Sequence, residues 1–289
     1  MEAKPLVTVI IPTYKRPHLV VQAIDSVLNQ TLSDLEVLVV DDCSRDETRT
    51  IVESISDSRV RYVAHETNKG LPAVRNTGIR LARGRYIAFL DDDDQWRPEK
   101  LQRQLEALHG YDAVACTAVS SAKGYAMRVH KRPNISLEDL RQGGFAPSSL
   151  MAKTEVLRDV MFDETIRQGE DWDAFIRIAQ RYSIGWISTP LLIYNEGVHP
   201  RMTGEAKQLF GPEIEKRNAV LYKHRAFLGE RWFKFHLADA LLGYIASRPD
   251  KLQCILYAWK RCGGKSVVAA LFERLRRRLQ RWFWMATAS

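Results

Sequence analysis

Short apolar runs rich in β-branched residues alternate with segments of helical periodicity through the first 120 residues. The predicted strands are Thr8–Pro12, Glu36–Asp42, Val60–His65, Arg85–Asp91 and Asp112–Ser120. The predicted helices between them are His18–Gln30, Arg45–Ile55, Leu71–Gly84 and Pro98–Gly110. This alternation predicts βαβ units, and therefore an α/β fold with a mostly parallel sheet and flanking helices.

Three of the predicted strands end in clusters of polar residues. Their sequences are PTYKRP, VDDCSRDE and LDDDDQW. In open parallel sheets, ligands bind beyond the carboxyl ends of the strands. The three clusters therefore predict one binding rim.

The third cluster contains four consecutive aspartates, from Asp91 to Asp94. Like charges this close repel one another unless water or a cation screens them. Carboxylates after a strand suit a hard divalent cation, which takes one or two of them and completes its shell with phosphate oxygens. The run is equally compatible with a solvated acidic turn, and taken alone it does not separate these two interpretations.

The pattern loosens after about residue 125, but one amphipathic helix stands out at Gly169–Ser183. It places Trp172, Phe175 and Ile176 on one side. Glu170 and Asp171 lie at its start, where they could simply cap the helix and compensate its dipole. The segment Ile184–Asn195 is then predicted to be a strand pair, or a long strand with a break at Pro190.

Composition limits the classes that remain. Four scattered cysteines contain no CxxC pair, which argues against a disulfide framework or a structural zinc site and fits a reducing compartment. The N-terminal sequence predicts no signal peptide, and no apolar run is long enough to predict a membrane-spanning helix. No histidine spacing typical of zinc, no GxSxG elbow and no GxGxxG fingerprint is found.

Four stretches, taken in order, resemble the family 2 glycosyltransferases, the inverting GT-A enzymes that use nucleotide sugars. They are VTVIIPTYKR, LEVLVVDDCSRDET, NKGLPAVRNTGIRLARGRYIAFLDDDDQWRPEKL and GEDWDAFIRIA. The resemblance covers roughly residues 7–194. It implies a GT-A catalytic domain over 1–210, with a nucleotide-binding half over about 1–120 and an acceptor half over about 121–210. Residues 211–289 would form a basic helical extension.

The resemblance also implies a nucleotide site. Its residues would be Pro12, Thr13, Tyr14, Asp41, Asp42, Asn68, Gly70, Arg75, Asp91 and Asp92. In this assignment Asp41 accepts a hydrogen bond from the base and Asp92 faces the ribose. Asp91 and Asp93 form the DxD pair, with Asp93 as the direct ligand of Mn²⁺ or Mg²⁺. The chain departs from the usual family pattern by having DDDD for Asp-Ser-Asp-Asp and Cys43 for glycine.

The catalytic base of the family maps to Asp171, next to Glu170. Inversion is a single displacement, so a carboxylate on the acceptor side must take the proton of the attacking hydroxyl. The metal on the opposite side stabilises the leaving diphosphate. The two acidic sites should therefore be distant in sequence and close in space.

The basic charge is concentrated in the C-terminal part. Residues 211–289 contain 16 Lys and Arg against 6 Asp and Glu, in a chain whose net charge is +8. Residues 265–285 place Val268, Phe272, Leu275 and Leu279 on one helical stripe flanked by arginines, continued by Leu271, Trp282 and Phe283. This pattern is typical of an interfacial membrane helix. The alternative is an ordinary helix whose stripe packs on the protein; nucleic acid is a poorer fit, because no recognised binding module is present.

The sequence thus predicts an inverting, metal-dependent transferase acting on a nucleotide sugar, most often UDP-linked in this family. Its acceptor would be a saccharide, carried by a lipid, in the assembly of lipopolysaccharide, O-antigen, capsule or another cell-surface glycan. We expect a cytoplasmic enzyme, peripheral on the inner membrane surface, that does not bind nucleic acid. Two alternatives stay open: transfer to a polyprenyl phosphate, and a catalytically silent nucleotide-sugar-binding or scaffold protein.

Overall fold

The computed structural model describes residues 4–122, 124, 126–127, 130, 132–196, 209–243 and 245–287. The chain divides into two compact units, Met1–Glu196 and Gly197–Ser289. Residues 197–208 lie outside the described part, so the predicted boundary between residues 210 and 211 stays a prediction.

The first unit alternates strands and helices. Its strands in the described residues are β1 Val7–Thr13, β2 Leu35–Asp41, β3 Val60–Ala64, β4 Tyr86–Phe89, β5 Gln95–Trp96, β6 Ala113–Ser120, β7 Ala126–Met127, β8 Asn134–Ile135, β9 Met151–Lys153 and β10 Ile184–Tyr194. Its helices are α1 Pro17–Leu28, α2 Thr48–Glu53, α3 Leu71–Leu81, α4 Lys100–Ala107, α5 Leu137–Arg141, α6 Thr154–Val160 and α7 Glu170–Ala179. The predicted alternation over the first 120 residues is confirmed.

These strands form one sheet in the order β3-β2-β1-β4-β9-β6-β10-β5, with β7 beside β6 and β8 beside β10. The pairs β3–β2, β2–β1, β1–β4 and β6–β10 are parallel. Strand β9 is antiparallel to both of its neighbours, and β5 is antiparallel to β10. The mostly parallel sheet is therefore confirmed, and the carboxyl ends of β1, β2 and β4 meet at one edge.

Helices cover the sheet, so its central strands are mostly apolar. Every residue of β1 and β2 is buried, as expected for parallel strands covered on both faces. Helix α3 packs especially close to β1, because a Cβ at Gly78 would lie 2.5 Å from the Ile10 side chain. Glycine at this position lets α3 approach the sheet, and Arg75 lies one turn earlier on the same helix.

Two local predictions differ from the structure. The helix predicted over residues 45–55 is only Thr48–Glu53, because Cys43 and Arg45 adopt φ values of 68° and 54°. The Asp46 carboxylate then accepts a hydrogen bond from the Thr48 backbone N–H at 2.9 Å. Strand β10 is continuous, but its register with β6 shifts on both sides of Pro190, since proline cannot donate to the ladder.

The second unit is helical in its described residues, as predicted. Its helices are α8 Gly211–Arg217, α9 Ala219–Lys223, α10 Arg225–Leu241, α11 Lys251–Cys262 and α12 Gly264–Thr287. Glu215 of α8 accepts hydrogen bonds from Tyr257 at 2.9 Å and Arg261 at 2.7 Å, which ties α8 to α11. Among the described residues, no helix combines the length and apolarity needed to cross a membrane.

Candidate active site

The end of β1 is joined to the aspartate run that follows β4. Thr13 Oγ1 donates a hydrogen bond to Asp92 Oδ2 at 2.8 Å. Arg16 Nη1 donates to Asp92 Oδ1 at 2.7 Å and to Asp93 Oδ2 at 3.1 Å. Burial raises the pKa of Asp92 to about 6, against the opposing effect of Arg16 and Thr13. Of the other residues predicted here, Pro12 is buried in β1 and Tyr14 is 41% exposed at the rim.

The second predicted cluster closes the end of β2. Asp41 accepts hydrogen bonds from the Ser44 backbone N–H at 2.9 Å and the Ser44 hydroxyl at 2.6 Å. Its other oxygen accepts one from the Tyr62 hydroxyl at 2.5 Å, and burial together with this carboxylate raises the pKa of Tyr62. Asp41 is thus firmly oriented at the rim, while its predicted contact with the base stays a prediction.

Asp42 organises the approach to α3. It accepts hydrogen bonds from the backbone N–H groups of Lys69 at 2.8 Å and Gly70 at 2.7 Å. Asn68 donates to the Asp42 carbonyl at 3.3 Å. Gly70 adopts φ of 89°, a conformation that favours glycine. The structure therefore brings Asp42, Asn68 and Gly70 together as one loop junction.

Asp91 lies opposite the start of α7, across a buried arginine. Arg75 Nη2 donates to Asp91 Oδ1 at 2.9 Å, and Arg75 Nη1 donates to Glu170 Oε1 at 2.8 Å. Arg75 is 1% exposed. The guanidinium thus joins Asp91 to the helix that carries Asp171.

Asp94, the last aspartate of the run, is a buried support for the others. It is 1% exposed and accepts a hydrogen bond from the Asn195 backbone N–H at 3.1 Å. Burial and the charges of Asp91 and Asp93 raise its pKa. The Ser148 hydroxyl stabilises the same turn by accepting a hydrogen bond from the Asp91 backbone N–H at 3.0 Å. The four aspartates therefore occupy four different environments.

Asp171 lies in the acidic first turn of α7. The flanking acids are ion-paired, Glu170 with Arg75 at 2.8 Å and Asp173 with Arg177 at 2.6 Å. Asp171 Oδ1 accepts a hydrogen bond from the Trp172 backbone N–H at 2.7 Å. Desolvation and the neighbouring Glu170 raise the pKa of Asp171 to about 7, while Arg75 lowers it. A carboxylate with this pKa can both accept and release a proton near neutrality.

The carboxylate oxygens of the aspartate run suit a divalent cation whose coordination shell is completed by a substrate. Among the described residues, no group of three or more His, Cys, Asp or Glu side chains could hold a metal ion unaided. The carboxylates of Asp91 and Asp93 lie just after strand β4 and offer hard oxygen atoms to a cation. Magnesium-type sites use one or two such carboxylates plus substrate phosphates.

Some residues of the site were not identified from the sequence. Arg16, the last residue of the PTYKR segment, is one of them, although an arginine that follows a strand end near four aspartates is a usable signal. His65 lies 2.9 Å from both Asp42 Oδ1 and Thr77 Oγ1, and Tyr62 pairs with Asp41. Nothing in the local pattern of β3 indicates these partners.

Comparison with known proteins agrees with this geometry. The family model described as glycosyl transferase family 2 matches residues 8–161, more than half of the chain. The succinoglycan biosynthesis protein ExoO of Rhizobium meliloti is 36% identical over 187 residues, 58% of this chain and 54% of that protein. The UDP-Glc:alpha-D-GlcNAc-diphosphoundecaprenol beta-1,3-glucosyltransferase WfgD of Escherichia coli is 45% identical over 103 residues, 36% of this chain and 41% of that protein.

A solved structure shares the fold. The mannosyltransferase PcManGT from Pyrobaculum calidifontis, determined in complex with GDP-Man and Mn²⁺, superimposes with a TM-score of 0.59 at 21% identity. The match covers 99% of this chain and 84% of that one. The predicted GT-A fold is confirmed. Together with the family model, which spans the β1, β2 and β4 edge, these matches show that the chain is a glycosyltransferase and belongs to glycosyl transferase family 2.

Proposed function

We propose that the enzyme transfers a sugar from a UDP-sugar to a hydroxyl of a saccharide acceptor, with inversion at the anomeric carbon. The observation that carries this proposal is the Arg75 bridge, which holds donor-side Asp91 and the first turn of α7 at one buried guanidinium. A single displacement needs an electrophilic side at the leaving diphosphate and a proton acceptor at the attacking hydroxyl. Asp91–Asp93 and Asp171 supply carboxylates for these two sides.

Asp171 would take the proton of the acceptor hydroxyl. As that oxygen forms its bond to the anomeric carbon, the bond from this carbon to the nucleoside diphosphate breaks. The raised pKa of Asp171 suits a general base that works near neutral pH. Glu170, held by Arg75, would fix the start of α7 while Asp171 faces the acceptor.

Asp93 and Asp91 would hold Mn²⁺ or Mg²⁺ together with the diphosphate. When bound, the cation neutralises negative charge on the leaving group. PcManGT was determined with a nucleotide sugar and Mn²⁺, which supports a divalent cation. WfgD is named for a UDP-linked donor, which supports UDP. Thr13, Tyr14, Asp41 and the Asp42–Gly70 junction would form the nucleotide side.

The acceptor would be a lipid-borne oligosaccharide in the assembly of lipopolysaccharide, O-antigen, capsule or a similar cell-surface glycan. WfgD is named for a diphosphoundecaprenol-linked sugar, and ExoO for succinoglycan biosynthesis. The name of WfgD supports a lipid-linked acceptor, and the name of ExoO supports the assembly of a polysaccharide.

We further propose that the second unit binds the surface of the inner membrane. Exposed apolar residues recur at helical spacing on two of its helices. This apolar stripe comprises Leu252, Leu256 and Trp259 on α11 and Val268, Phe272, Leu275 and Leu279 on α12. The side chains of Trp282 and Phe283, which the sequence also assigned to it, lie outside the described side chains.

The charge of the same unit fits an anionic lipid surface. Lys251, Lys260 and Lys265 are exposed on α11 and α12. Several of the unit's acids are held in ion pairs, including Glu215 with Arg261 and Glu273 with Arg276. An apolar stripe beside surplus positive charge is typical of helices that lie in the membrane interface.

The function is tested by calorimetric titration of UDP, GDP, CDP and dTDP with and without Mn²⁺, followed by a transfer assay on lipid-linked saccharides. We expect metal-dependent binding of UDP and transfer that requires Asp171. Transfer that survives Asp171→Asn would favour a phosphate acceptor, since such an acceptor needs no base. Nucleotide binding without transfer to any acceptor would favour the catalytically silent alternative.

A further inference from the structure

Arg75 carries its charge in a buried position. It is one of the largest fully buried side chains of the protein. Burying a guanidinium is costly unless it is paired and hydrogen-bonded. Its two terminal nitrogens donate to Asp91 Oδ1 at 2.9 Å and Glu170 Oε1 at 2.8 Å. Two carboxylates of the protein itself thus pair with the charge, while the buried Nε of Arg75 has no hydrogen-bond partner among the described residues.

These carboxylates come from distant parts of the chain. Asp91 follows β4, and Glu170 is the first residue of α7, preceded by Gly169 with φ of 78°. Arg75 lies on α3, and 95 positions separate it from Glu170. One side chain therefore links three elements at the site.

A second set of contacts holds the guanidinium in place. The guanidinium lies over the Phe162 ring, 5.3 Å from the ring centre, which is within the range of a cation–π interaction. The same ring packs edge-on against Phe89. Asn76, the next residue of α3, clamps the Phe162 backbone. It accepts from the Phe162 N–H at 2.7 Å and donates to the Phe162 carbonyl at 2.9 Å.

We propose that Arg75 is a positioning residue that sets the distance between Asp91 and Asp171, and that it does not bind the nucleotide. This inference rests on the proposed function, which assigns Asp91 to the donor and Asp171 to the acceptor. It replaces the nucleotide contact implied by the family resemblance. Arg75 acts through Glu170: the ion pair fixes the first residue of α7, and Asp171 is the second.

The test separates affinity from turnover. Arg75→Lys keeps the charge but cannot present two nitrogens in the fixed fork of arginine. We expect the kcat at saturating donor to fall about 100-fold, because a displacement of the base of about 1 Å has effects of this size. The Kd of UDP, measured by calorimetry with Mn²⁺, should stay within about threefold of wild type, because a positioning residue acts on turnover and does not contact the nucleotide.

Two further variants keep the test decisive. Glu170→Gln weakens the ion pair between Arg75 and the first residue of α7, and it should likewise lower kcat while leaving the Kd of UDP unchanged. Arg80→Lys, on an exposed position of α3, should change neither quantity. The kcat is calculated per mole of protein that binds UDP, so that a partly unfolded variant is not mistaken for one with a lower kcat.

A weaker UDP affinity with unchanged kcat in Arg75→Lys would overturn the inference and restore the nucleotide contact. A normal kcat in both Arg75→Lys and Glu170→Gln would overturn it as well. In either case wild-type transfer remains intact. A wild-type protein that neither binds a nucleotide nor transfers a sugar would instead refute the proposed function, and this inference with it.

Discussion

Arg16 Nη1 lies 2.7 Å from Asp92 Oδ1, so the cation closest to this aspartate comes from the turn between β1 and α1. The pair joins positions that are 76 residues apart. It places a positive charge beside Asp92 and Asp93, where four carboxylates would otherwise repel one another.

Arg16→Gln should destabilise the protein, by about 1–3 kcal/mol at pH 8 because a charged hydrogen bond is lost. The pKa of Asp92 is raised to about 6 in the folded protein, so Asp92 is ionised above this pH and protonated below it. The contribution of the pair to stability is present above pH 6 and lost as the pH falls through 6. Urea unfolding at pH 8 and pH 5 measures the difference. Arg49→Gln, which breaks an exposed pair with Glu53, is the control and should change stability by less than about 0.5 kcal/mol. An equal loss of stability in Arg16→Gln at pH 8 and at pH 5 would contradict the prediction.

Asp93→Ala should remove the part of the UDP affinity that depends on Mn²⁺, because it removes the proposed ligand. The metal-free affinity should stay close to wild type. Calorimetric titration of UDP with and without Mn²⁺ measures both values, with the exposed Glu47→Ala as a control. An unchanged response to Mn²⁺ would mean that another group holds the cation.

Asp171→Asn should leave UDP binding intact and lower kcat by about 10²–10⁴, the usual contribution of a general base. The pKa of Asp171 is raised to about 7, so wild-type kcat/KM should fall as the pH drops below 7 and the base becomes protonated. A pH–rate profile from pH 5 to pH 9, which extends about two units to either side of the pKa, tests this. The exposed carboxyl variant Glu155→Gln should keep the wild-type profile. Near-normal transfer by Asp171→Asn to a hydroxyl acceptor would place the base elsewhere, whereas near-normal transfer to a phosphate acceptor would show that no base is needed.

Lys100→Met should abolish a rise of stability with pH. Lys100 is fully buried against the Trp96 ring at 3.7 Å and donates to Gln104 at 2.6 Å, and burial lowers its pKa to about 8. Between pH 8 and about 10.5 the unfolded chain binds more protons, so wild-type stability should increase by up to about 3 kcal/mol. Urea unfolding at pH 7.5 and at about 9.5 brackets most of this range. Lys4→Met, at an exposed position, is the control and should retain the rise of stability with pH. If the rise persists in Lys100→Met, it arises from other groups.

Phe272→Ser combined with Leu275→Ser should weaken binding to anionic vesicles at least about tenfold, because two apolar side chains of the stripe are lost. Both are exposed, Phe272 at 68%. Co-sedimentation with phosphatidylglycerol vesicles measures the effect, and Ala269→Ser, also exposed on α12, is the matched control. Vesicle binding by the double variant equal to that of wild type would refute the proposal that the apolar stripe binds the membrane. A lipid-independent dimer that dissociates in the double variant would show instead that a second copy covers the stripe.

The local pattern of the sequence determined the fold class and the order of the functional segments. Alternating periodicity was enough for the parallel strands, because the central strands β1 and β2 are buried on both faces and the helices beside them on one. The positions of Asp93 at a strand end and Asp171 at a helix start also follow from local signals. Their proposed roles came from the family resemblance.

Only the tertiary structure decided which groups pair. Arg75 meets Asp91 and Glu170, and Arg16 meets Asp92, across 16, 95 and 76 positions of the chain. Asp91 and Asp94 look alike in the sequence, yet one faces an arginine and the other is buried beside Ser148 and Asn195. Such differences arise from burial and from partners brought together by long-range closure of the sheet, and neither residue type nor periodicity specifies these.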